Sequence, residues 1–240
     1  MNHRVVVIAH RGASSEAPEN TAAAIRIAFR MRADMVELDV QPTADDRVVV
    51  FHDDRMERTT NGRGVIQQLR YPAIARLDAG AWFAPRFANE RILLVSQALR
   101  LSAPHRVNLE LKATPRPAIL IAGVVRALRH TRATMRVLAS SFEASLLASM
   151  REAAPTVARA LLCARAPALA LTRAVRLGCV ALHPKASLVT PRLIAQAHAA
   201  GLRVHVWTVD DPALARRLAR WGVDGVFTNH PDRIRRALHK

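Results

Sequence analysis

The chain has 240 residues and half of them are hydrophobic, which is enough for one sizeable core. It contains no apolar run of about eighteen residues and no secretory signal, so we expect no membrane span and a cytoplasmic location. The formal net charge of +17 raises the question of nucleic acid or an anionic membrane as a partner. The arginines are scattered over predicted helices without interleaved aromatic residues, which favours solvated helix faces and no specific nucleic-acid binding.

The first predicted element is a buried parallel strand that ends in a basic turn. The apolar run at residues 5–8 leads to His10, Arg11 and Gly12, and glycine permits a sharp exit from the strand. Asn20 or Thr21 would cap the helix that follows. An imidazole that moves protons near neutral pH and a guanidinium that binds phosphate oxygens together suit an anionic substrate. The alternative is an ordinary histidine at a strand end.

The second predicted strand carries two acidic residues on one face. Side chains alternate along a strand, so Glu37 and Asp39 point to the same side. Inside a barrel these carboxylates would repel each other and would be costly to bury unless a cation joined them. Ion pairs with nearby arginines are the alternative explanation.

The apolar run at residues 47–53 follows the second strand after only a short turn at Asp45 and Asp46. A parallel crossover needs a dozen residues or more, so this strand should run antiparallel as a hairpin. The hairpin would bring His52 back beside the two carboxylates, although a surface histidine is the alternative.

An irregular stretch follows the hairpin at about residues 54–97. It is too long for an ordinary barrel loop and too aromatic for disorder, with Trp82, Phe83 and Phe87. We interpret it as an insertion that folds over the barrel mouth, within a single domain spanning residues 1–240.

The remaining chain repeats strand and helix signals to its end. Glu110 and Lys112 share one face of the next strand, and five further strands follow at residues 136–142, 158–162, 179–183, 202–209 and 223–228. Without the hairpin strand the count is eight, which with the chain length predicts a (β/α)8 TIM barrel. The two cysteines, Cys163 and Cys179, lack a motif and are expected to be buried free thiols.

The functional face of such a barrel lies at the carboxyl ends of its strands. Three carboxylates there suit a hard divalent cation, Mg²⁺ or Ca²⁺, and a zinc site that uses a histidine is the alternative. Two basic side chains would hold a phosphate group, and two histidines could serve as general base and general acid. The predicted site for phosphodiester cleavage thus comprises His10, Arg11, Glu37, Asp39, His52, Glu110, Lys112 and Trp207.

Eight segments of the chain together resemble the glycerophosphodiester phosphodiesterases, in the same order. They are HRGA, PENT, ELDV, VVFHDD, RTTNG, NLELK, VWTVDD and GVDGVFTNHPD. The resemblance implies a TIM barrel with a short insertion, a divalent cation, and cleavage of a small glycerophosphodiester to glycerol 3-phosphate and an alcohol. It also implies roles for the site residues: catalysis for His10 and His52, metal binding for Glu37, Asp39 and Glu110, phosphate binding for Arg11 and Lys112, and a glycerol pocket lined by Trp207.

Two other functions stay open at this point. One is a lysophospholipase D or phospholipase that acts on lipid, and the other is a non-enzymatic basic barrel that binds phosphate or nucleic acid. The sequence also leaves open the alcohol head group, the choice of cation and whether the chain forms a homo-oligomer.

Overall fold

A computed structural model of the protein describes residues 4–239, so the outermost residues of the predicted 1–240 domain lie outside the described part. In the described part nine strands form one sheet: β1 (Val6–Ala9), β2 (Met35–Pro42), β3 (Val48–Val50), β4 (Arg106–Leu111), β5 (Val137–Ser141), β6 (Ala158–Cys163), β7 (Ala181–Pro184), β8 (Arg203–Val206) and β9 (Gly225–Thr228). The same part holds nine α-helices: α1 (Ala22–Arg30), α2 (Tyr71–Ile74), α3 (Val95–Leu101), α4 (Pro117–Thr131), α5 (Ala144–Ala153), α6 (Pro167–Arg176), α7 (Pro191–Ala199), α8 (Pro212–Trp221) and α9 (Pro231–Leu238).

Eight of these strands close into a parallel barrel, which confirms the predicted TIM barrel. The order around the ring is β1, β2, β4, β5, β6, β7, β8 and β9, and β9 pairs again with β1. Strand β3 lies outside the ring and pairs antiparallel with β2, with Val50 opposite Val40. The prediction of an antiparallel hairpin is therefore also confirmed.

Local sequence signals mark the ends of some crossover helices. Thr21 caps α1, because its side-chain oxygen accepts a hydrogen bond from the backbone nitrogen of Ala24. Gly222 ends α8 in the left-handed conformation, with φ +93°. The helices cover the outer face of the barrel with buried aliphatic side chains. None of the helices between residues 4 and 239 combines the length and apolar character needed to cross a bilayer.

Several hydrogen-bonded strands are shorter than the apolar runs that predicted them. Residues 202–209 form a strand only at Arg203–Val206, so Trp207 lies just beyond the end of β8. The apolar sequence pattern extends beyond the last hydrogen bond between paired strands, because residues that leave the sheet at the barrel mouth remain at least partly buried. Both cysteines, Cys163 and Cys179, are free and buried, as expected.

The stretch between the hairpin and β4 packs around a small core of its own. Met56, Ile66 and Ile74 are fully buried against Val49 and Phe51 of the hairpin. The crossover helix α3 begins before the predicted end of the insertion and leads back into the barrel. Trp82 stays 43% exposed and packs edge-to-face on its neighbour in the sequence.

Candidate active site

Three acidic side chains meet at the carboxyl ends of β2 and β4. Strand pairing places Asp39 directly beside Glu110. Glu37 lies two residues before Asp39 and therefore on the same face of β2. One oxygen of each carboxylate lies within 4.8 Å of an oxygen of the other two. The two strands therefore concentrate three potential negative charges in a single small volume.

Neighbouring charges give these three buried acids different pKa values. Burial, reinforced by the charges of Asp39 and Glu110, raises the pKa of Glu37 well above its ordinary value. Burial and the Asp39 charge raise the pKa of Glu110 to about 7. Burial acts on Asp39 too, but Lys112 and Arg11 outweigh it and hold the pKa of Asp39 below its usual range. Without a further positive charge, the cluster is therefore not fully ionised near neutral pH.

Two cationic side chains already lie against the acids. The Nζ atom of Lys112 donates to Glu110 over 3.1 Å and lies 3.6 Å from an oxygen of Asp39. Arg11 donates its backbone N–H to Oε2 of Glu37 over 2.9 Å, and its Nε atom lies 3.5 Å from Asp39. The same arginine donates from Nη1 to Glu19 over 2.9 Å. These contacts orient the acids without satisfying all of their oxygens.

One carboxyl oxygen without a hydrogen-bond partner indicates whether the site fits a metal ion. The Oε1 atom of Glu37 is buried and has no hydrogen-bond partner among the described residues. A buried carboxyl oxygen without a partner is costly, and a hard divalent cation is the ion that an all-oxygen donor set prefers. Glu37, Asp39 and Glu110 therefore fit Mg²⁺ or Ca²⁺ better than zinc, which favours nitrogen and sulfur donors.

The turn after β1 presents His10 to this cluster. Gly12 makes the turn with φ +82°, and a Cβ atom there would lie 2.7 Å from backbone and side-chain atoms of Ala24. The Nδ1 atom of His10 lies 2.8 Å from Oδ1 of Asn229. Asn229 is itself oriented by Asp210, which accepts from its Nδ2 over 2.7 Å. Because Oδ1 can only accept, Nδ1 of His10 carries the proton and Nε2 keeps a free lone pair.

The environment keeps His10 neutral. Burial and the neighbouring Arg11 charge lower the pKa of His10, and together they outweigh the Asn229 hydrogen bond, which raises it. A neutral, oriented imidazole with a free nitrogen is suited to accept a proton.

His52 has a different partner. It follows β3, and its Nδ1 atom lies 2.6 Å from Oδ1 of Asp53. Arg58 donates to both oxygens of Asp53, over 2.6 and 3.0 Å. The Arg58 hydrogen bond is the main reason that the pKa of Asp53 falls to about 2. The Asp53 carboxylate beside Nδ1 fixes the orientation of the ring, so that Nε2 is the nitrogen available to a substrate.

Arg58 also ties the stretch after the hairpin to the β1 side of the mouth. Its Nη1 and Nη2 atoms donate to the carboxylate of Glu19 over 2.9 and 2.7 Å. Glu19 in turn accepts from Arg11. One guanidinium therefore links the supports of His52 and Arg11.

These side chains surround a cavity of about 100 Å³ at the barrel mouth. Seven of the eight predicted site residues line it, and Asp39 lies behind them, 1% exposed. Trp207 forms part of the wall, fixed by a 2.7 Å hydrogen bond from its Nε1 atom to the carbonyl of His183 and by an edge-to-face contact with Phe142. The lining also includes residues that were not predicted: Asn108, Ser140, Phe142, Leu162 and Phe227.

Sequence reasoning missed the residues that hold the site in place. Each of these supporting residues lies in a segment that carries the family resemblance. No spacing rule links such a residue to its partner in the structure, because 219 positions separate His10 from Asn229 and 39 separate Glu19 from Arg58. Asn20 shows the same pattern, since its Nδ2 atom donates to Asp39 over 2.9 Å. The residues missed in this way are Glu19, Asn20, Asp53, Arg58, Asp210 and Asn229.

The model of the glycerophosphoryl diester phosphodiesterase family matches residues 10–233. The chain belongs to this family. A glycerophosphodiester phosphodiesterase of Caldanaerobacter subterraneus subsp. tengcongensis is 34% identical over 243 residues, which cover 99% of each chain. Because the match spans nearly the whole length of both proteins, the family assignment applies to the complete barrel.

Two solved phosphodiesterase structures superpose closely on this chain. An Oleispira antarctica phosphodiesterase in complex with the product sn-glycerol-3-phosphate aligns with a TM-score of 0.92 and 32% identity, covering 98% of this chain and 97% of that one. A glycerophosphodiester phosphodiesterase of Agrobacterium tumefaciens aligns with a TM-score of 0.83 and 30% identity, covering 96% of this chain and 98% of that one. The protein is therefore an enzyme, a phosphodiesterase on a TIM barrel.

Proposed function

We propose that this enzyme hydrolyses small glycerophosphodiesters to glycerol 3-phosphate and an alcohol, with a divalent cation and with His10 and His52 as base and acid. The observation that carries the proposal is the contrast between the two histidines beside one acidic cluster: an amide supports the first and a carboxylate supports the second. The product complex of the Oleispira antarctica relative supports glycerol 3-phosphate as the product here.

Glu37, Asp39 and Glu110 would hold the cation. When bound, a divalent cation supplies positive charge that stabilises the phosphoryl oxygens as the transition state forms. Arg11 and Lys112 add positive charge on the same side and are proposed to bind the remaining phosphate oxygens. Trp207 is proposed to line the pocket of the glycerol group.

His10 is proposed to act as the general base. Its Nε2 atom is free to take a proton from the attacking hydroxyl of water or of C2 of the glycerol. In the second case the phosphorus keeps both glycerol oxygens in a cyclic phosphate, and water then breaks the P–O bond to C2 to give glycerol 3-phosphate. The Asn229 amide holds the ring in the tautomer that this role requires. A well-placed base or acid is worth ~10²–10⁴ in rate.

His52 is proposed to act as the general acid that protonates the leaving alcohol. Asp53 orients the His52 ring and thereby its second nitrogen, and Arg58 holds Asp53 in place. After the P–O bond to the alcohol breaks, the alcohol leaves with the His52 proton, and His10 carries the proton of the nucleophile.

The single domain over residues 1–240 and the cytoplasmic location stay predictions from the sequence.

A cation screen tests the proposal. Purified enzyme is stripped with a chelator, and glycerol 3-phosphate release from glycerophosphocholine is measured with Mg²⁺, Ca²⁺ and Zn²⁺ in turn. We expect activity to return with Mg²⁺ or Ca²⁺ and to stay absent in Glu37→Gln, with Glu152→Gln on the exposed face of α5 as the matched control. Full activity in the stripped enzyme would refute the cation requirement.

A further inference from the structure

Two buried polar side chains lie at the floor of the catalytic pocket, where β4 meets β5. Asn108 and Ser140 both line the pocket, and each is 1% exposed. Asn108 is paired with Glu37 across β2 and β4, and Ser140 is paired with Glu110 across β4 and β5. Because Asn108 precedes Glu110 by two residues, it points into the barrel further from the mouth. The Asn108–Ser140 pair therefore borders the acidic cluster from below and from the β5 side.

The pair leaves one hydrogen-bond donor and one acceptor without partners. Nδ2 of Asn108 donates to Oγ of Ser140 over 2.8 Å. Oδ1 of Asn108 is buried and has no partner among the described residues, and none of them accepts the hydroxyl proton of Ser140. The reversed amide would likewise leave a free donor at Nδ2 and a free acceptor at Ser140. A donor beside an acceptor is the complement of a hydroxyl group, whereas a phosphate oxygen only accepts.

The surroundings of the pair are apolar. Apart from the charged groups, the histidines and this pair, the side chains that line the pocket are aromatic or aliphatic: Phe142, Leu162, Trp207 and Phe227. The indole N–H of Trp207 is already bonded to the carbonyl of His183. Asn108 and Ser140 therefore supply the uncharged hydrogen-bonding groups that this wall offers to a ligand. An apolar wall with a few placed polar groups is typical of a site that fixes the orientation of a small molecule.

The order of strands indicates which part of a diester meets the pair. His52 follows β3, which extends the sheet beside β2, whereas Ser140 lies in β5, beyond β4. In the proposed function the leaving alcohol lies at His52, so the glycerol arm extends the other way, toward β5 and Trp207. C3 of this arm carries the phosphate, so the hydroxyl on C1 reaches furthest from the phosphate. The pair is therefore placed to meet the C1 hydroxyl.

We propose that Asn108 and Ser140 bind the C1 hydroxyl of the glycerol arm and make the enzyme selective against arms that lack this hydroxyl. The inference rests on the proposed function, because it takes the phosphate to lie at the acids and the leaving alcohol at His52. An arm without the C1 hydroxyl leaves the buried donor and acceptor unpaired. A site built to bond a substrate hydroxyl discriminates strongly against the analogue without it, for this reason.

A substrate that differs by one hydroxyl tests this role. Choline release is measured from glycerophosphocholine and from its 1-deoxy analogue, 2-hydroxypropyl phosphocholine, with Mg²⁺ or Ca²⁺ present. The analogue keeps the C2 hydroxyl, so attack by water and attack by C2 both stay possible. In the wild-type enzyme we expect kcat/KM to be about 10- to 100-fold lower for the analogue, because a buried hydrogen-bonding group is left unpaired.

Three variants locate the effect. Ser140→Ala removes the hydroxyl of the pair, and Asn108→Leu replaces the amide by an apolar side chain of similar volume. Ser141→Ala is the matched control, since Ser141 is the next residue of β5 but donates to the carbonyl of Leu111 and does not line the pocket.

The preference for glycerophosphocholine over the analogue is compared among these variants. We expect this ratio of kcat/KM values to fall at least about fivefold in Ser140→Ala and in Asn108→Leu, and to keep its wild-type value in Ser141→Ala. A merely structural effect would lower kcat/KM for both substrates and leave their ratio unchanged.

The possible outcomes separate the two proposals. Equal kcat/KM values for the two substrates in the wild-type enzyme would overturn the selectivity inference and leave the proposed function standing. A wild-type ratio in both Ser140→Ala and Asn108→Leu would overturn the assignment to this pair. If the wild-type enzyme releases choline from neither substrate, the proposed function falls, and the inference falls with it.

Discussion

The Nδ1 atom of His10, at the end of the first strand, lies 2.8 Å from Oδ1 of Asn229, just beyond the last strand. Closure of the barrel between β9 and β1 brings the two residues together. The amide, held by Asp210, leaves the Nε2 atom of His10 free for the substrate. Barrel closure therefore determines which ring nitrogen of the proposed base, His10, carries the proton.

Replacement of Asn229 should show this positioning role. In Asn229→Ala the ring loses its fixed tautomer, and we expect kcat to fall about 10- to 100-fold, a part of the ~10²–10⁴ that a general base supplies. The lost hydrogen bond also raised the pKa of His10, so the acidic limb of the kcat/KM profile should move to lower pH. A pH–rate profile measures both effects. A variant with the wild-type profile and lower stability alone would indicate a merely structural role.

Removal of Arg58 should weaken the proposed acid. Arg58 holds Asp53, which holds His52, so Arg58→Ala is expected to lower kcat about tenfold for glycerophosphocholine while circular dichroism shows an intact fold. Arg55→Ala is the matched control, since Arg55 is an exposed arginine whose guanidinium pairs with Glu57, away from Asp53 and Glu19. Equal activity of the two variants would contradict the link between Arg58 and His52.

Cation binding should stabilise the enzyme more at high pH than at low pH. The pKa of Glu110 is raised to about 7 and that of Glu37 is raised as well, so the metal-free folded state holds protons that the unfolded state has lost. The metal-free enzyme therefore loses stability as pH rises from the ordinary glutamate pKa through about 7.

A cation restores this stability where the acids are ionised. At a concentration of 100 Kd it adds about 2.7 kcal/mol, or ~5–10 °C in Tm for a chain of this size. We expect that shift at pH 8 and a much smaller one at pH 5.5, measured by thermal melts with and without Mg²⁺ or Ca²⁺. Equal shifts at both pH values, or a shift that survives in Glu37→Gln, would refute the proposed ligand set.

The turn after β1 should tolerate no side chain. In Gly12→Ala the new Cβ meets Ala24 at 2.7 Å, whereas Gly201, also at positive φ, has no atom within 4 Å of such a Cβ. Both substitutions carry the cost of a left-handed alanine, but only the first adds overpacking, which typically costs ~1–3 kcal/mol. In chemical unfolding, the free energy of unfolding of Gly12→Ala should be lower than that of Gly201→Ala by that amount. Equal destabilisation would contradict the close contact.

Much of the barrel follows from local pattern. Alternation along β2 and β4 sufficed to put Glu37, Asp39 and Glu110 on inward faces, and the short turn before β3 sufficed to predict an antiparallel hairpin carrying His52. These features depend on neighbours in the sequence or on the common polarity of parallel strands.

The supports of the site depend on distances that a single sequence does not contain. Asn229 reaches His10 only because the ring closes, and Arg58 reaches Glu19 only because the stretch after the hairpin folds back over the mouth. The contact of Phe142 with Trp207 in the pocket wall likewise depends on how two loops lie against each other. Periodicity predicts which face a side chain takes but not which distant side chain it meets.

Leaving-group dependence in the two histidine variants tests the central claim most directly. Glycerol 3-phosphate release is measured for His10→Ala and His52→Ala with two substrates. One is glycerophosphocholine, and the other is the p-nitrophenyl diester of glycerol 3-phosphate, whose leaving oxygen needs no proton. We predict that His52→Ala loses ~10²–10⁴ in kcat with the choline substrate and regains most of it with the p-nitrophenyl diester, whereas His10→Ala loses activity with both. Wild-type turnover in both variants, or equal losses with both substrates in His52→Ala, would contradict the assignment of base and acid.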